Sequence, residues 1–226
     1  MTSHCSIFIP NEAEMSMKET VEVVQKDFDE TFRLLHDWAA KNNITLEELK
    51  NSISEEEIKR REKNRRNART NETSKLAFDY RQNVSDFLRK YKTEFDAQQE
   101  ILIKEADLGM QSTVLKAKEI GYAMETICWY MSQLPAKLTR AYVGLVEFGE
   151  TTEDPIQSDF NGSAKVALIG IENSFPAWEV ILAYFPQTEK ECWSFLVLLD
   201  KIRKRILVDF PNVREFVRPG FDAVKC

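Results

Sequence analysis

The chain has 226 residues with 31 Lys and Arg against 37 Asp and Glu, a formal net charge of −6, 43% hydrophobic and 30% charged residues. That composition excludes collagen-like, mucin-like and disulfide-dense chains and wholesale disorder. Seven Gly and seven Pro are too few to supply the turns of an all-β fold, so an all-α fold is expected.

Residues 1–15 show no helical rhythm and read as an N-terminal extension, which carries His4 and Cys5. Four capping boxes, Ser16-x-x-Glu19, Thr45-x-x-Glu48, Ser54-x-x-Glu57 and Thr188-x-x-Glu191, each precede a segment of helical periodicity. Such boxes start helices because each partner satisfies an amide that the first turn leaves without one. The first helix is expected over 17–41, where Val21, Val24, Phe28, Phe32, Leu35 and Trp38 form one apolar stripe. A short helix near 46–52 and a polar helix from about 55 follow.

The spacing of Ala77, Tyr80, Val84, Phe87, Tyr91, Phe95 and Leu102 predicts one rod over 73–107, ended by Gly109. Another is expected over 113–148, with a kink at Pro135 or a break near Gln133. Gly121 and Gly144 within it mark close helix contacts or weak points. Residues 149–162 read as an acidic loop with Glu150, Glu153, Asp154 and Asp159. Beyond it, helices are expected over 163–172, from a Ser174 cap to about 185 with Pro176 in the first turn, and over 189–209. Ile181–Pro186 echoes Ile206–Pro211, each an apolar helix end stopped by Phe-Pro. The whole reads as an elongated antiparallel bundle (16–148) with a smaller C-terminal helical layer (163–226) packed on it.

Charge is segregated. Residues 11–57 hold thirteen acids and five bases, and residues 58–92 hold twelve bases and four acids. The densest run comprises Lys59, Arg60, Arg61, Lys63, Arg65, Arg66 and Arg69. It suits either a solvated helix face or a nucleic-acid contact extended by Arg81, Arg89 and Lys92. The net negative charge opposes broad affinity for a polyanion.

Catalytic and cofactor motifs are missing. There is no Glu-x-x-His, no glycine-rich phosphate loop, no Gly-x-Ser-x-Gly and no zinc-ligand spacing. His36 lies beside Asp37, and adjacent helical residues point apart. No cofactor is therefore expected. A carboxylate-based metal or acid–base site would have to be built from Glu147, Glu172 and Glu179, with Glu105 and Glu125 as further acids close to apolar stripes. Cys128 and Cys192 read as buried thiols. No 18-residue apolar run suggests a membrane span, and no secretory signal pattern is seen, so a cytoplasmic protein is expected.

The second half is rich in aromatics. Trp178, Tyr184, Phe185, Trp193, Phe216 and Phe221 suit either a packed core or an interface. The leading expectation is a non-enzymatic helical interaction or scaffold protein that self-associates. A nucleic-acid-binding regulator stands second and a carboxylate-based metal protein or enzyme third.

Overall fold

A computed structural model describes residues 17–42, 44, 45, 47, 48, 54–149, 151–218 and 220–222. The expected N-terminal extension lies outside them, as do Ser16, Cys226 and most of the short helix near 46–52. The protein is all-α. Its helices are α1 (Met17–Lys41), α2 (Glu55–Thr70), α3 (Glu72–Lys90), α4 (Lys92–Asp107), α5 (Gln111–Phe148), α6 (Asp159–Tyr184) and α7 (Glu189–Asp209), with a 3-10 turn at Pro186–Thr188. Among the described residues no strand occurs. The chain divides into two compact units, residues 1–59 and 60–226.

In the first unit, the Thr45 box forms as the sequence predicts. Glu48 Oε2 accepts from the Thr45 amide and hydroxyl, both at 2.8 Å, and the Glu48 amide donates back to Thr45 Oγ1 at 3.2 Å. These bonds lower the Glu48 pKa. Ser54 Oγ likewise accepts from the Glu57 amide and starts α2.

The second unit is a bundle whose core is shared by α3, α5, α6 and α7. Helices α5 and α6 run antiparallel. Arg140 meets Asp159, Asn173 meets Tyr130, and Tyr184 meets Glu119, so one helix descends as the other climbs. Gly144 is what lets them close: a Cβ there would lie 2.8 Å from Phe160 Cβ. Gly121 faces open space. Helices α3 and α7 also run antiparallel, with Glu72 bound to Arg205 at one end and Lys90 to Glu191 at the other. The centre is aromatic. Trp178 donates its indole N–H to Tyr80 Oη at 2.9 Å, both side chains fully buried, and Phe87 and Phe195 pack around them.

Several boundaries differ from the sequence reading. The rod over 73–107 is interrupted at Tyr91 (φ −100°, ψ 15°). Tyr91 is buried beside Phe87 and Phe95 and its hydroxyl reaches Glu191. Helix α5 passes Pro135 without a break, and Thr139 Oγ1 donates to the Pro135 carbonyl. The two helices expected over 163–185 are one. Ser174 does not cap; it is buried and donates to the Gly170 carbonyl at 2.7 Å, and Pro176 lies inside the helix. The acidic loop ends sooner, because Ser158 caps α6 and buried Asn161 ties Ile156 to Asn212.

The Thr188 box is not made. Thr188 donates back to the Phe185 carbonyl, and Glu191 turns to Lys90 and Tyr91. The Phe-Pro echo is shared stop chemistry: Phe185 and Phe210 have nearly the same backbone angles, and each amide bonds four residues back. Helix α6 is long and apolar enough to cross a membrane by length and composition, and here its apolar residues line the bundle core.

Candidate functional site

Three groups of residues were singled out from the sequence, and the structure places each differently. The carboxylates stay apart. Glu147 accepts from Asn64 Nδ2 at 3.1 Å, Glu172 pairs with Arg214 at 2.7 Å, and Glu179 is exposed. Glu105 accepts from Thr113 Oγ1. Among the described residues no three His, Cys, Asp or Glu side chains are grouped to hold a metal ion. Cys192 is buried as expected, but Cys128 is exposed, a correction to the sequence reading.

The aromatic group splits. Trp178 and Phe185 belong to the interior, at 0% and 3% exposure, so they offer no surface. The Tyr184 hydroxyl is held by Glu119 at 2.6 Å. Phe216 lies against Gly162, where a Cβ would come within 2.6 Å of its ring. Phe221 is exposed beneath the Arg218 guanidinium. Trp193 is exposed on α7, one turn from exposed Val197. Composition alone does not separate the aromatics that face in from those that face out, since both kinds occur on the C-terminal helices.

An exposed apolar surface lies on α1. Phe28, Phe32, Leu34, Leu35 and Trp38 are each 39–59% exposed. Phe28, Phe32 and Leu35 fall at helical spacing on one face, with Trp38 a turn further on. The opposite face carries Lys26, Glu30, Arg33 and Asp37. The sequence reading assigned this stripe to a bundle core. The charges along α1 are also unequal: residues 17–30 hold five acids and two bases, residues 31–41 two bases and one acid.

The basic run resolves into neighbours with different partners. Lys59 pairs with Glu55 one turn back, at 3.6 Å. Asn64 and buried Ala68 form the inward face of α2 in the second unit. Arg65 and Arg69, one turn apart, line an open depression of about 440 Å³. Phe78 and Arg81 of α3 and one face of α5, from Ser132 to Val143 and including Arg140, complete it. Arg140 is held as a fork by Asp159, at 2.8 and 2.6 Å, which raises its pKa. Arg89 and Lys92 stand elsewhere, paired with Asp86 and Asp96 on their own helices. Arg140 was missed from the sequence, since nothing local ties it to a run some seventy residues earlier.

No protein-family model, curated protein or solved structure matches the chain.

Proposed function

We propose that this chain is a non-enzymatic helical interaction protein that works by associating with further copies of itself through α1. The observation that supports the reading most is the exposed row Phe28, Phe32, Leu35 and Trp38 on a 25-residue amphipathic helix. Apolar side chains at this spacing are stabilised when a facing helix removes them from water, by about 25 cal/mol per Å² buried. An isolated helix gains little from intrinsic propensity alone, so an amphipathic one needs a covering surface.

A second copy supplies such a surface with matched charge. Antiparallel pairing sets the acidic first half of α1 against the basic second half of its partner, and relieves the repulsion that parallel pairing would create between two acidic halves. The reading needs no cofactor, and a cytoplasmic setting is part of it.

The test is a pair of full-length proteins compared by size-exclusion chromatography with light scattering. The unaltered chain should elute as a dimer or larger species. The double variant Phe32→Glu, Leu35→Glu should elute at the mass of one chain, with the circular dichroism of the second unit's helices retained. Association of the double variant equal to that of the unaltered chain would refute the reading.

A further inference from the structure

Several arginines of the second unit differ in what they touch. Arg89, Arg203, Arg205, Arg214 and Arg218 are each paired with a carboxylate, on Asp86, Asp200, Glu72, Glu172 and Asp222. Arg65, Arg69 and Arg81 make no ion pair among the described residues, and all three line the same depression. The fourth guanidinium there, Arg140, is fixed in orientation by Asp159. Four guanidinium groups line one concavity, and among the described residues only Asp159 is paired with any of them, in a chain of net charge −6.

Like charges gathered this way repel one another unless an anion lies between them, and guanidinium forks match phosphate oxygens two at a time. The floor is of another character: Phe78 is half-buried, Pro135 is buried, and Val143 is partly covered. An apolar floor under a cationic rim takes a ligand with a charged and a flat end. The volume of about 440 Å³ falls within the roughly 300–1,000 Å³ of small-molecule sites.

We propose that this depression binds a compact polyphosphate group, either a free phosphate chain or the triphosphate of a nucleotide. An extended nucleic-acid strand fits less well. It requires a continuing basic track, and the next bases beyond Arg81, namely Arg89, Lys90 and Lys92, are occupied by Asp86, Glu191 and Asp96. The adjoining surface, which shares Phe78 and Arg81, carries Asp79.

The experiment is calorimetric titration of the full chain, in low-salt buffer free of phosphate, with tripolyphosphate, with ATP and with a single-stranded oligonucleotide series of increasing length. Saturable one-to-one binding of tripolyphosphate or ATP is expected. The double variant Arg69→Gln, Arg81→Gln should bind at least about a hundredfold more weakly, since each lost charge-assisted contact is worth about tenfold or more. Arg89→Gln, outside the depression, should bind as the unaltered chain does.

Equal affinity for tripolyphosphate and ATP would show that the phosphate chain alone is recognised. Tighter binding of ATP that Phe78→Ala abolishes would show that the base lies on the apolar floor. Both outcomes support the site. No saturable binding of either compound would overturn it, as would undiminished binding by the double variant. Affinity that grows with oligonucleotide length beyond that of ATP would overturn the compact ligand in favour of a strand.

Discussion

Tyr80 shows how much of the core depends on one polar contact. Its hydroxyl accepts the Trp178 indole N–H at 2.9 Å where neither side chain meets water. Burial pushes the phenol up to about 12, more than the Trp178 bond lowers it, so it stays protonated through the neutral range. Tyr80→Phe removes the acceptor and strands a buried N–H, and should destabilise the fold by about 1–3 kcal/mol in urea unfolding followed by circular dichroism. Ser74 is the opposite case. Its hydroxyl is fully buried and has no hydrogen-bond partner among the described residues. Ser74→Ala removes a desolvated group that nothing compensates, so stability should hold or rise by up to about 1 kcal/mol in the same assay. A loss larger than about 1 kcal/mol would mean that the hydroxyl is satisfied in solution.

At the scale of elements, the end of the segment after α7 is gathered around one carboxylate. Asp222 accepts from the Arg218 amide and guanidinium and from Lys165, whose ammonium also donates to the Phe216 carbonyl. The Arg218 guanidinium first, and Lys165 after it, hold this carboxyl far below the usual carboxylate range. A lowered folded pKa means that the stabilisation is complete above the unfolded value of about 3.9 and is lost as pH falls through the folded one. Limited proteolysis should therefore leave the 211–222 segment intact at pH 6 and begin to cut it well below pH 4, whereas Asp222→Asn should be cut at neutral pH. Helix ends were legible where local chemistry sets them, as at the Ser54 start of α2 and the Phe-Pro stop of α7. They were not where packing decides. Tyr91 carries no helix-breaking residue and is turned by its contacts with Phe95 and Glu191. Pro176 reads as a helix start, yet the burial of Ser174, Ala177 and Trp178 carries α6 straight through it.

At the scale of the molecule, periodicity identifies apolar stripes but not what covers them. The stripes of α3 and α5 meet other helices of the second unit, whereas Phe28, Phe32, Leu35 and Trp38 of α1 are exposed. For the same reason Trp178 and Phe185 read as interface candidates and prove to be core. The arginine cluster was half legible: Arg65 and Arg69 stand in a visible run, but Arg81 and Arg140 join them only through the fold. Helix α1 is proposed to join copies of this chain. Sedimentation equilibrium of the full-length protein, over a wide concentration range and at two ionic strengths, tests it most directly. The mass is expected to rise with concentration to at least twice that of one 26.3 kDa chain, less readily at high salt because the charge match between the halves of α1 is screened. A mass of one chain at every concentration would contradict it.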